Sequence, residues 1–174
     1  MILVSYDGFA DAQAAIDRVA ELMPGAEATV LFVREPFADA LARSGAMGVG
    51  VGMAGRHADS DEFDASLAEA ALATAAEGAR RATAAGLVAH PRSAARDGGG
   101  APTILATADD VEADVIVTGA GGLGGVKSLL LGSVSHAVVQ HADRAVLVVP
   151  SLALAERRHA VEHDAVPVSP GRPH

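Results

Sequence analysis

The chain has 174 residues, half of them hydrophobic and 3% aromatic, with 19 glycines and no cysteine. That length fits one domain of about 100–200 residues, and the missing cysteines exclude disulfides and thiolate zinc sites. The net charge of -9 argues against unspecific nucleic-acid binding. No apolar run reaches the ~18 residues of a membrane span, so no membrane partner is expected.

Residues 2–6 are short, apolar and partly β-branched, and read as a first strand. No basic segment precedes a long apolar one, so no secretion signal is expected and the compartment is read as cytoplasmic. The strand ends at Asp7-Gly8. Ligands in open α/β sheets bind beyond the carboxyl ends of strands, which places Asp7 as a pocket residue. Residues 10–23 follow as a helix, with Ala12, Ile16, Val19 and Met23 at helical spacing. Pro24-Gly25 stops it. Residues 28–33 are the second strand.

Residues 34–60 form a long, glycine-dense connection, expected to be flexible. Residues 62–85 read as an Ala-rich helix, with Phe63, Leu67, Ala71, Thr74 and Gly78 facing the sheet. The acidic residues at its start, Asp59, Asp61, Glu62 and Asp64, suit a helix N-terminus better than a metal site. Residues 87–95 are a weak, polar strand, and Pro91 fits a sheet edge. Pro102 opens a short helix over 103–111. Asp109, Asp110, Glu112 and Asp114 near its end are expected to be solvated.

Val115-Ile116-Val117-Thr118 is a buried strand that runs into Gly119-Ala120-Gly121-Gly122-Leu123-Gly124-Gly125. Gly132-Ser133 then opens the last helix, Ser133–His141, with Val134, Val138 and His141 on one face. Glycines let backbone N–H groups approach an anion, and a helix N-terminus adds unpaired donors and a favourable dipole. Strand, glycine loop and helix start together make a phosphate cradle. Gly119 to Gly124 also fits the dinucleotide fingerprint. The next strand, Ala145–Val149, ends in Pro150 without the acid that fingerprint needs for the ribose. A Walker A reading fails because Val126 stands at its last glycine. His136 and His141 are five apart, the wrong spacing to meet on one helix face, so no metal site is expected. Residues 151–174 carry three prolines and read as a mobile tail.

The pattern G-x2-G-x9-G-[ST] is matched by Gly119, Gly122, Gly132 and Ser133. With the run from Gly124 to Ser135 and the closing His141-Ala142-Asp143-Arg144-Ala145-Val146-Leu147-Val148-Val149-Pro150, residues 1–150 resemble the universal stress protein family. The alternation of strands and helices already implies a parallel sheet covered on both faces. The resemblance adds a single open five-stranded sheet of order 3-2-1-4-5, Rossmann-like and of the adenine nucleotide α-hydrolase type. It implies an adenine nucleotide, ATP first and with magnesium, at the switch between strands 1 and 4, in a stress-response or regulatory protein.

By the same resemblance Asp7 lies near base and ribose, and the backbone at Val33 grips the adenine edge. Gly119 and Gly122 admit the phosphates, Gly132 permits a close turn, and Ser133 and Ser135 donate hydroxyls. Ser5, Tyr6, Thr118 and Val134 complete the nucleotide-binding set. Two positions depart from the family pattern. Phe9 replaces the usual serine after Asp-Gly, leaving the first helix poorly capped. Gly121 stands where a basic or polar side chain is frequent, which leaves ATP, ADP, AMP and cyclic nucleotides open.

The resemblance also implies a homodimer through Ala145–Val149, an edge strand without a charge to guard it. Two other functions remain open: a dimeric interaction module without a ligand, and a slow ATPase or nucleotidyl transferase. No catalytic residue set is apparent for the latter.

Overall fold

The structure, a computed structural model, describes residues 1–36, 56–121, 131–153 and 155–156, with backbone only for 56–62. The chain runs β1 (Ile2–Ser5), α1 (Ala10–Leu22), β2 (Glu27–Arg34), α2 (Arg56–Ala84) and β3 (Val88–Ala95). It continues through α3 (Gly100–Asp110), β4 (Val115–Gly119), α4 (Ser133–His141) and β5 (Ala145–Val149). All neighbouring strands pair in parallel, in the order β3-β2-β1-β4-β5. This is the Rossmann-like sheet expected from the sequence.

Parallel strands must be covered on both faces, so their sequences run apolar rather than alternating. Ile2, Leu3 and Val4 of β1 obey this, and all three are buried. Their side chains alternate between two cores. Ile2, Val4 and Tyr6 pack with Ile16 and Val19 of α1 and with Ala79 and Ala82 of α2. Leu3, Leu31 and Ile116 pack with Ile104 and Ala108 of α3 and Val138 of α4. Small residues on α2 let that helix come close. A Cβ on Gly78 would fall 2.8 Å from the Tyr6 ring and 2.9 Å from Val30.

Several expected faces are displaced. Met23 is the C-cap of α1 and is exposed, and Ala15 and Ala20 are buried beside Ala12, Ile16 and Val19. Helix α2 starts at Arg56, inside the connection expected over 34–60, whose glycine-dense centre lies outside the described residues. Phe63 and Leu67 are exposed, whereas Ala71, Ala75, Ala79 and Ala82 are buried. On α4, Ser135 and Val138 are buried, while Val134 and His141 are exposed.

The acidic residues around the end of α3 are exposed, yet three of them are paired. Arg144 binds Asp109, Arg92 binds Asp110, and the terminal amine binds Asp114. Arg144 also donates to the carbonyls of Ala108 and Ala113 at 3.0 and 2.9 Å. A guanidinium there satisfies carbonyls at the negative end of the α3 dipole. No helix among the described residues is long and apolar enough to cross a membrane.

Candidate functional site

Strands β1 and β4 are neighbours, with Ile2 opposite Val115 and Val4 opposite Val117. The chain leaves β1 for α1 on one face of the sheet and leaves β4 for α4 on the other. Departures to opposite faces open a crevice beyond the carboxyl ends of the two strands. Asp7 and Gly119 stand on its two sides.

On the β1 side, the turn is built around Asp7-Gly8. Gly8 has φ +84, a left-handed conformation that glycine adopts without a Cβ penalty. Asp7 Oδ1 accepts from Phe9 N–H at 3.0 Å, and Gln13 Nε2 donates to the Gly8 carbonyl at 3.0 Å. Phe9 caps α1 without a side-chain bond, as its residue type implied. Burial raises the pKa of Asp7 against the pull of the Phe9 and Asp7 N–H groups, and the nearby Asp11 charge raises it further.

Tyr6 enters the crevice by its backbone only. Its ring is buried in the core beneath α1 and α2, and its hydroxyl donates to Glu77 at 3.2 Å. Ser5 lies on the other side of the sheet, two residues on from Leu3 and so on the same face. Thr118 shares that face, two residues on from Ile116, and is buried.

Val33 is placed by register. Leu31 gives its carbonyl to Tyr6 N–H and Arg34 gives its carbonyl to Arg96 N–H. Successive residues of β2 therefore turn to β1 and β3 alternately, and Val33 turns to β1. The last pair with β1 is Ser5 with Leu31. The N–H and C=O of Val33 thus project past the end of β1, over the crevice.

On the β4 side, Gly119 is required by packing. A Cβ there would lie 2.7 Å from the Asp11 backbone carbon and 2.9 Å from Ala12 N. Glycine lets the end of β4 and the first turn of α1 touch. The Gly119 carbonyl accepts from Ser135 Oγ at 2.7 Å and from Thr118 Oγ1 at 3.2 Å. The Ser135 proton, expected from the sequence to reach a ligand, is spent on this carbonyl. Gly132 N–H donates to the Ala120 carbonyl at 2.8 Å and Ala120 N–H to Val149. Gly132 has φ -59, and a Cβ there would meet Ala120 O only at 3.6 Å. Neither the backbone angle nor packing among the described residues demands glycine at 132.

Ser133 is the first residue of α4, and it is exposed. The first intrahelical bond runs from His136 N–H to Gly132 O. The N–H groups of Ser133, Val134 and Ser135 therefore have no partner inside the helix. Gly132 caps it without a side-chain bond, and no backbone partner for these donors lies among the described residues. Val134 lies against the start of α3, where a Cβ on Gly100 would meet it at 3.2 Å. Gly122 lies outside the described residues.

Asp11 is the residue that sequence reasoning passed over. Its Oδ1 accepts from Ser151 N–H at 3.0 Å, joining α1 to the chain after β5. A Cβ on Gly121 would stand 2.5 Å from its Oδ2. The carboxylate occupies the volume a side chain at 121 would need. The available signal was an acid in the first turn of the helix that follows β1, close to that strand's carboxyl end. Among the described residues no group of three His, Cys, Asp or Glu side chains could hold a metal ion.

Comparison with known proteins agrees with this architecture. The profile of the universal stress protein family matches residues 1–150. No curated protein sequence matches the chain. Among solved structures, hypothetical protein MJ0577 is similar at 22% identity and TM-score 0.64, over 86% of this chain and 94% of that one. UspA from Lactobacillus plantarum is similar at 23% identity and TM-score 0.58, over 85% and 95%. A universal stress protein from Archaeoglobus fulgidus is similar at 21% identity and TM-score 0.57, over 85% and 96%.

Proposed function

The chain belongs to the universal stress protein family, and from that premise we propose that it binds an adenine nucleotide in the crevice between β1 and β4. One observation carries the reading. At this switch point, the end of β2 and the start of α4 bring together backbone groups that have no partner among the described residues. Val33 offers a donor and an acceptor side by side, the complement of the amino group and ring nitrogen on an adenine edge. The free N–H groups of α4 suit a phosphate. Asp7 suits a ribose hydroxyl, as a carboxylate that accepts from O–H.

Other proteins of this fold support the ligand class. Universal stress proteins have been solved with cAMP, with dAMP in the Archaeoglobus fulgidus protein and with AMP in one from Arabidopsis thaliana. Within the class, ATP with magnesium is the expectation from sequence, and the role is a regulatory one in stress response. Gly119, Gly132, Ser133 and Ser135 build the cradle wall, with Gly122 expected to join them.

The binding unit is proposed to be a homodimer through β5. Ala120 N–H bonds to Val149 O, so Ala145, Leu147 and Val149 face β4 while Val146 and Val148 turn outward. The opposite edge is blunted. Val88 and Arg96 donate to β2, which turns Pro91 outward, where it presents no donor.

Native mass spectrometry of the protein as purified, followed by calorimetric titration of the stripped protein, tests the ligand. A mass increment matching an adenine nucleotide, and saturable binding of one, are expected. Failure of every adenine nucleotide to bind would overturn the reading in favour of a ligand-free interaction module.

A further inference from the structure

One residue of α1 holds the turn that carries Asp7, and the inference drawn from it rests on the reading of this crevice as an adenine-nucleotide site. Gln13 is half-buried and bonds to the turn through both its backbone and its side chain. Its backbone N–H donates to the Phe9 carbonyl at 3.0 Å, and its Nε2 donates to the Gly8 carbonyl at 3.0 Å. The first bond is the opening bond of the helix. The second belongs to the side chain, and helix formation does not require it.

The same amide reaches the core. Burial and the Glu77 charge raise the pKa of Tyr6, and a hydrogen bond from Gln13 opposes them. A glutamine carries two N–H donors on one nitrogen, so it can serve the Gly8 carbonyl and the Tyr6 hydroxyl together. Tyr6 is itself fixed. Its ring is buried, its hydroxyl donates to Glu77 of α2 at 3.2 Å, and its N–H donates to Leu31 O at 2.8 Å. Gln13 ties the turn to this anchored ring.

The turn is weakly held otherwise. Gly8, at φ +84, has no side chain to hold it. Phe9 gives α1 no side-chain cap bond, and it is 46% exposed. A serine or aspartate there would fix the entry to the helix through its own side-chain oxygen. Here the side-chain bond comes from one turn further along α1. Asp7 directly precedes Gly8, and its Oδ1 accepts from Phe9 N–H. The direction of its carboxylate therefore follows the path of the backbone that Gln13 holds.

We propose that Gln13 is a positioning residue for this site: by holding the Gly8 carbonyl it sets the direction in which Asp7 meets a nucleotide. Gln13 acts through Asp7 and need not touch the ligand.

The test is a double-mutant cycle on the full chain, read by calorimetric titration with AMP and with ATP and magnesium. Gln13→Met keeps the length and helix preference of the side chain and removes both donors. Gln13→Ala replaces it if the methionine variant does not fold. In the native background the substitution is expected to weaken nucleotide binding about fivefold, the scale of one hydrogen bond. In the Asp7→Ala background it is expected to change binding by less than about twofold, because residues that act through one contact are not additive. A residue that merely stabilised the fold would lower the melting temperature and leave this coupling at zero. Native affinity in a folded Gln13 variant overturns the proposal and leaves the nucleotide reading standing. So does an equal loss in both backgrounds, which would assign the effect to general loosening of the crevice. If neither nucleotide binds the native protein, the adenine-nucleotide reading itself falls, and this inference falls with it.

Discussion

Ser135 Oγ donates to the Gly119 carbonyl at 2.7 Å, so the first turn of α4 is tied to the last residue of β4. The serine is buried, and the bond closes the wall of the crevice. Ser135→Ala should cost about 1 kcal/mol, because Thr118 still donates to the same carbonyl. Urea unfolding measures it. Stability equal to the native protein would show that the bond contributes nothing.

Two glycines of one motif should respond differently. Gly119→Ala places a Cβ within 2.7 Å of α1 backbone, and overpacking of that kind costs about 1–3 kcal/mol. Gly132→Ala meets nothing closer than 3.6 Å among the described residues and keeps an ordinary φ, so the fold should change by less than about 0.5 kcal/mol. Its added methyl group should instead weaken nucleotide binding. Thermal melts alongside titrations separate the two, and a Gly119→Ala protein that melts like the native one would refute the packing account.

Asp7 carries a pH signature. Burial raises its pKa in the folded protein, with the Asp11 charge adding to the rise. The folded state then binds the proton more readily than the unfolded one. The ionised carboxylate at neutral pH therefore costs stability, and that cost is relieved as pH falls through the folded pKa. Asp7→Asn should melt higher than the native protein at neutral pH, with the advantage fading in acid. A pH-independent difference in melting temperature would contradict this. Asp7→Ala should weaken nucleotide binding by roughly 1–2 kcal/mol, the scale of one lost hydrogen bond to a charged group.

The proposed dimer can be probed without touching the fold. Val148 turns its N–H away from β4, so Val148→Pro removes a donor from the free edge and none from the ladder. Light scattering should show the native chain as a dimer and the variant as a folded monomer. A dimeric variant would move the interface elsewhere.

The strand ends around Asp7 and Gly119 were legible in the sequence, because a β-branched run and a glycine burst mark a strand and its exit, whereas the strand order followed from the family resemblance that the glycine motif carries. Side-chain roles were less so. Phe63 and Leu67 keep helical spacing with Ala71, yet they are exposed. At 1.5 Å per residue, the 29 residues of α2 span about 43 Å, whereas the eight residues of β3 span about 26 Å. Periodicity gives the buried stripe but not where the sheet beneath it ends. Gly119 looked like a phosphate glycine, and pattern alone cannot separate a glycine kept for a ligand from one kept for a neighbouring helix. The partner of the Ser135 hydroxyl lies sixteen residues away, and only the folded chain brings it near.

Pro91 also bears on how far association can go. A parallel sheet open at both sides could add copies without end and grow into a filament. Here one border offers backbone partners and the other carries a ring where a donor would be. In the proposed dimer, two copies meeting across β5 about a two-fold axis would leave only blunted borders outside. Assembly then terminates at a closed pair, and raising the protein concentration should yield more pairs rather than longer chains.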